Sequence, residues 1–199
     1  NAGVAPSSVD FVLSGDLLNQ CMGSAFALKD LEIPSIGLFG ACSTMALSLS
    51  TGAMLVNSGA SCVVCATSSH FCSSERQFRF PLEYGGQRPP TAQWTVTGAG
   101  SSVVSNEGRG TEIKAVQIGT ITDLGITDAN NMGAAMAPAA ARTISSFLND
   151  TGSSPEDYNL ILTGDLGYTG SQLLYELLEK EHNIKLKGFH KDCGTLTFD

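Results

Sequence analysis

The chain repeats itself, and this limits its fold more than any other property. Pro6-Ser-Ser-Val-Asp-Phe-Val-Leu-Ser-Gly-Asp-Leu17 recurs in the same order as Pro155-Glu-Asp-Tyr-Asn-Leu-Ile-Leu-Thr-Gly-Asp-Leu166, with Gly15 and Gly164 149 residues apart. Each copy reads as a proline turn, a short apolar strand and a Gly-Asp-Leu that opens a helix. A second apolar approach then reaches a cysteine, in Gly40-Ala-Cys42-Ser-Thr and again in Lys191-Asp-Cys193-Gly-Thr. One shared tripeptide would be chance. An ordered series of this kind, with its register held over about 40 positions, marks two related halves.

Between the copies the pattern stays coherent. Thr44–Val56 reads as a small-residue helix packed in an interior, Ser61–Thr67 as a buried strand, and 92–105 as an alternating strand interrupted by Gly98-Ala-Gly100. Ile113–Ile121 is expected to be a strand. Gly133–Leu148 is expected to be a helix stopped by Asn149-Asp-Thr-Gly152. Ser171–His182 is the clearest surface helix, with Leu173, Leu174, Leu177 and Leu178 on one face and Glu176, Glu179 and Lys180 on the other. Strands alternating with helices give an α/β chain with a largely parallel sheet and helices on its faces. The halves are expected at 1–110 and 111–199, each lacking elements at its outer end, so both ends read as truncated.

Composition excludes several classes. A net charge of −8 is wrong for nucleic acid, which needs a basic face. It also requires any anionic ligand to be held by local arginines or helix N-termini. No run reaches the roughly 20 apolar residues of a membrane span, and no signal segment opens the chain. Six cysteines in 199 residues are too few and scattered for a disulfide scaffold. Cys62-Val-Val-Cys65 has a zinc-ligand spacing, but strand positions three apart face opposite sides, and no second Cys/His pair follows. No metal site and no cofactor are expected.

Cys42 is the leading candidate site residue. It stands where an apolar run turns into a helix, near the positive helix end that stabilises a thiolate. Such a cysteine can be a nucleophile, the lining of a ligand pocket or a small buried residue. Asp16 ends the first strand and suits either a helix cap or a pocket wall; its repeat mate Asp165 reads as a cap. His70 follows the strand 61–67, on the side where parallel sheets bind ligands. Arg76 and Arg79 are spaced for one side of a turn or helix. They suit a bidentate clamp on a dicarboxylate, or an interface ion pair with Glu75 or Glu83. His182 falls at a helix end and His190 in a loop.

Particular motifs carry a resemblance. Ala41-Cys42-Ser43 and Thr97-Gly98-Ala-Gly100-Ser-Ser-Val-Val resemble the nucleophile turn and Gly-rich strand of the ketoacyl-synthase III group. Leu13-Ser-Gly-Asp-Leu-Leu-Asn-Gln20, Gly40-Ala-Cys-Ser-Thr-Met45 and Ser68-Ser-His-Phe-Cys-Ser-Ser-Glu-Arg-Gln-Phe-Arg-Phe-Pro-Leu-Glu-Tyr-Gly85 resemble the stage V sporulation protein AD family, along essentially the whole chain. That resemblance implies a thiolase-like fold, two related βαβαβ halves in a layered α-β-α-β-α arrangement. It also implies a part in the spore machinery that moves dipicolinic acid (pyridine-2,6-dicarboxylate), which the family binds.

The implied partners are dipicolinic acid or its calcium chelate, other SpoVA membrane proteins and a second copy in a homodimer. The implied place is the cytoplasmic face of the spore inner membrane, peripherally held. The ligand residues it suggests are Cys42, Asp16, His70, Arg76 and Arg79.

Departures from the condensing enzymes count against catalysis. Gly164 stands where their histidine belongs, and Lys191-Asp-Cys-Gly-Thr195 has no asparagine. A thiol without those partners loses the cooperating unit that makes it an acyl carrier. The expectation is a non-catalytic ligand-binding protein. The alternatives are an acyl-transfer or condensing enzyme using Cys42 as nucleophile, and a scaffold that binds nothing.

Overall fold

The computed structural model describes residues 2–69, 91, 97–128 and 130–197. They fall into two units, one formed from 2–69 with 97–116 and the other from residues after 116. His70, Arg76 and Arg79 lie outside the described residues, as do Cys72 and positions 92–96 of the expected strand.

Both proline turns of the repeat are short 3-10 helices, Pro6–Ser8 and Pro155–Asp157. Proline suits the first helical position because its missing N–H would be unpaired there anyway. At Ser154 a capping box closes the second turn, with the Ser154 amide donating to Asp157 Oδ2 at 2.8 Å.

The first unit is a four-stranded sheet with helices on it. Its elements are β1 (Phe11–Asp16), α1 (Met22–Leu28), β2 (Ser35–Gly37), α2 (Thr44–Asn57), β3 (Cys62–Ser69) and β4 (Gly98–Ser105). Strand order is β2-β1-β3-β4; β1 runs parallel to both neighbours and β4 antiparallel to β3. Alternation along the strands divides the sheet's side chains between two faces. Leu13, Val63 and Cys65 pack with Leu49, Leu55 and Val56 of α2. Gly52 lets that helix approach closely, since a Cβ there would lie 2.9 Å from Cys65 Sγ.

The second unit contains α3 (Met132–Thr151), β5 (Ile161–Thr163), α4 (Gly167–His182), β6 (His190–Asp192) and α5 (Cys193–Thr197). Strands β5 and β6 pair in parallel. The core is Ala137 and Ala141 of α3 against Leu166, Leu174, Leu178 and Leu186. The small residues allow helices α3 and α4 to touch backbone to backbone. A Cβ added to Gly170 would lie 2.8 Å from Gly133 Cα.

Most expected elements form, within a few residues of their expected ends. Helix α3 continues past Leu148 to Thr151, where Gly152 closes it at φ +62°. One expectation fails. Ile113–Ile121 is not a strand. The segment pairs with no strand among the described residues, and Ile118 and Ile121 are 63% and 100% exposed. Alternating apolar residues do not make a strand without a neighbour to take the backbone hydrogen bonds.

The Gly133–Gly170 crossing is a direct test of this packing. Gly170→Ala forces a methyl group into backbone that cannot yield as a flexible side chain would. Urea denaturation should show a loss of about 1–3 kcal/mol despite alanine's better helix propensity.

Candidate functional site

At the C-terminal end of β1 the chain makes two turns that lock together. Asp16 is buried, and its carboxylate accepts from the Leu18 amide at 2.7 Å, the Ser24 amide at 2.6 Å and the Ser24 hydroxyl at 2.6 Å. It therefore closes the turn into α1, and the structure shows its capping role directly. Gln20 and Cys21 sit at φ +63° and +54° to complete that turn. Cys21 Sγ donates to the Leu38 carbonyl at 3.2 Å, joining it to the second turn.

The second turn carries Cys42. The Leu38 amide donates to the Ser14 carbonyl at 2.8 Å, which draws the turn against β1. Only glycine fits beneath it, since a Cβ on Gly15 would lie 2.7 Å from Thr44 Cγ2 and collide with the Leu38 carbonyl. Thr44 Oγ1 donates to the Ala41 carbonyl at 2.8 Å and accepts from the Gly40 amide at 3.2 Å. Ser43 Oγ donates to the Gly40 carbonyl at 2.6 Å. Ala41, just before the cysteine, is held at φ +48°, a strained conformation for a residue with a Cβ. A 3-10 turn over Ala41–Ser43 then leads into α2.

Cys42 is exposed at this turn as a thiol, and no acidic side chain occupies the first turn of α2. Burial pushes the other described cysteines upward in pKa. Cys65 is raised by burial against a smaller downward pull from its bond to Ser48, Cys21 and Cys62 by burial and then by Asp16 and Asp10 respectively, and Cys193 by burial and then by Asp192 and Asp165. Those four are held as protonated thiols. Cys62 and Cys65 are both buried in β3, and no cluster of three His, Cys, Asp or Glu residues suited to a metal occurs among the described residues.

The second unit holds a site the sequence reading missed. His190, expected in a loop, lies in β6 and is 8% exposed. Pairing with β5 places it beside Thr163 and against Tyr175 of α4. Its Nε2 is 2.7 Å from Thr163 Oγ1 and its Nδ1 is 2.9 Å from Tyr175 Oη. Thr163 Oγ1 in turn donates to Asp192 Oδ1 at 2.8 Å. Thr163 has one proton and gives it to Asp192, so His190 Nε2 must be the donor to Thr163. The ring is then the neutral Nε2–H tautomer, and Nδ1 accepts from Tyr175. Burial lowers the His190 pKa, against a smaller upward pull from Asp192.

Asp192 ends this chain of donors, only 2% exposed. Its Oδ1 also accepts from the Leu166 amide at 3.0 Å. Its Oδ2 accepts from the amides of Gly167 at 3.0 Å, Gly194 at 3.0 Å and Thr195 at 3.3 Å. One carboxylate thus receives five donors and fixes the starts of both α4 and α5. Asp165, expected as the cap by its likeness to Asp16, stands at φ +60° within that turn. The Leu166 and Gly167 amides at the start of α4 donate to Asp192. A signal was present in the sequence: the residue before the second cysteine is Asp192, where the first copy has Ala41.

With this geometry in view, comparisons place the chain. The family model for Stage V sporulation protein AD (SpoVAD) matches residues 1–199, and the chain belongs to that family. It is 45% identical over 191 residues to Stage V sporulation protein AD of Bacillus subtilis (strain 168), covering 96% of this chain and 56% of that protein. The chain therefore spans little more than half the length of this curated relative. Among solved structures, AbyA1, a tetronic acid condensing enzyme, superposes with a TM-score of 0.60 at 17% identity, over 96% of this chain and 66% of its own. The 3-oxoacyl-[acyl-carrier-protein] synthase III of Aquifex aeolicus VF5 gives 0.60 at 19%, over 96% and 63%. The corresponding enzyme of Pseudomonas aeruginosa PAO1 gives 0.56 at 17%, over 89% and 62%. The fold is thiolase-like, and at these identities the likeness reaches no further than the fold. No helix among the described residues is long and apolar enough to cross a membrane.

Two outcomes test the second site. Asp192→Ala leaves several buried amides unpartnered and should cost on the order of 3 kcal/mol in chemical denaturation, partly restored by formate entering the vacated space. His190, with its pKa lowered by folding, binds fewer protons folded than unfolded below the ordinary value of 6.5. Its contribution is complete above that pH and is lost as pH falls toward the lowered folded value. Stability measured between pH 7 and 5 should therefore decline, and His190→Gln should flatten the decline.

Proposed function

We propose that the protein binds pyridine-2,6-dicarboxylate, free or as its calcium chelate, and does not transform it, within the spore machinery that moves dipicolinic acid. Membership of the SpoVAD family supports the setting. One observation carries the non-catalytic reading. The condensing-enzyme histidine slot holds Gly164, and in the turn where the asparagine belongs the Asp192 carboxylate is buried under five donors. A carboxylate so engaged is poorly placed to act as a general base.

In this reading Cys42, exposed at the start of α2, is a pocket-lining thiol. Arg76 and Arg79 supply the cationic clamp that a dianion needs in a chain of net charge −8, and His70 is a further ligand residue. Asp16 acts through the turn it caps, which holds the Cys42 turn in place. The protein works as a homodimer with other SpoVA membrane proteins, peripherally at the cytoplasmic face of the spore inner membrane. A second reading, acyl transfer through Cys42, draws on the exposed thiol behind a positive-φ residue at a helix start.

Calorimetric titration of the full-length protein with dipicolinate separates these readings. Saturable binding is expected, weakened several-fold in Cys42→Ala and more strongly in Arg76→Ala. Absence of binding would leave a scaffold. Incubation with acyl-CoA should leave the mass of the protein unchanged, and acylation of Cys42 at turnover rates would overturn the non-catalytic reading.

A further inference from the structure

We propose that the face of the first sheet turned toward α1 carries a second site, one that takes a small, uncharged, polyhydroxylated molecule. Between α1 and strands β1, β3 and β4 lies a cavity of about 240 Å³. Leu13, Val63 and Cys65 point toward α2, so alternation sends Ser14, Ala66 and Ser68 to the opposite face, toward α1. Antiparallel pairing sets Ser101 of β4 beside Ala66 on that same face. Ser24 of α1 supplies a hydroxyl from the opposing wall. Cys42 does not line this space, and the proposal does not depend on dipicolinate binding.

Ser14 is the observation that makes this a site. It is only 5% exposed and lines the cavity, yet its hydroxyl makes no hydrogen bond among the described residues. A hydroxyl turned into a cavity with no protein partner is open to a polar group that enters the cavity. Ser68 and Ser101 likewise present hydroxyls without partners among the described residues. Ser24 already donates to Asp16 and offers its lone pairs.

The lining selects the ligand class. A hydroxyl both donates and accepts, and so do its natural complements, the hydroxyls of a polyol. Among the described residues no charged side chain lines the cavity. The buried Asp16 carboxylate on the same face further opposes an anion. The volume lies below the roughly 300–1,000 Å³ of drug-sized sites, so the molecule is small.

Polyols stabilise most proteins by exclusion from the surface, so a thermal shift would not be diagnostic. Equilibrium dialysis of the full-length protein with labelled glycerol and labelled myo-inositol is the test. One of the two should bind saturably, one molecule per chain. Ser14→Val fills the cavity and removes the hydroxyl; it should weaken binding about tenfold or more while the circular dichroism spectrum is unchanged. If that variant fails to fold, Ser101→Val on the exposed edge strand should weaken binding several-fold. Lack of saturable binding by either polyol would mean that the cavity holds only water, and would overturn the proposal. So would affinity unchanged in Ser14→Val or Ser101→Val, or one-for-one displacement by dipicolinate. Loss of dipicolinate binding in an Arg76→Ala protein that still binds the polyol would support a site separate from the dipicolinate site.

Discussion

A buried carboxylate at the C-terminal end of the parallel strands is the interaction on which each unit's turns depend. Asp16 does this in the first unit and Asp192 in the second. Helix starts leave backbone amides without partners, and a strand end surrounded by such starts concentrates positive potential. A carboxylate placed there satisfies several amides at once and holds the turns in register. Asp16 binds three donors around one helix start. Asp192 binds five around two, and its position is fixed further by Thr163 and, through it, by His190.

Much of the architecture was legible because the repeat supplies its own check. The proline turns, the strands β1 and β5, the Gly-Asp-Leu segments and the two cysteines recur in one order, and the structure forms both proline turns and both strands and sets each cysteine at or just before a helix start. The failures share a physical cause. Ile113–Ile121 has a strand's alternation, but sequence does not show whether a neighbouring strand is present to pair with it. His190 looked like a loop residue because Gly188-Phe-His-Lys is too short and mixed to read as a strand. Its pairing partner, β5, lies 27 residues away and fixes its place.

The same limit explains why the Asp192 knot was missed. Repeat logic pairs Asp165 with Asp16, since both follow the strand glycine. The structure adds a second carboxylate, Asp192, to that turn. In the second unit the capping carboxylate enters from the end of the neighbouring strand, at the position Ala41 holds in the first. The consequence reaches Cys42. Where the second unit has an anion that clamps its helix starts and raises the Cys193 pKa, the first has a methyl group. The turn before Cys42 is closed instead by neutral bonds from Thr44 and Ser43, leaving the start of α2 without an acid. The two copies share a backbone plan but set different groups before their cysteines, Ala41 in one and Asp192 in the other.

The first sheet extends this division to its two faces. On the α2 side, apolar packing against Gly52 is tight enough that one added carbon would collide with Cys65. On the α1 side, serines replace the apolar residues along β1, β3 and β4, and a cavity remains. A closely packed face fixes α2, and with it the Cys42 turn at the start of that helix, to within the tolerance of core packing. A hydroxyl-lined face does not fix its helix in this way, because it offers less apolar surface to pack against. Strand alternation lets one sheet do both. The period of two that puts Leu13 into the core puts Ser14 into the cavity, so a one-residue slip in β1 would damage both faces at once.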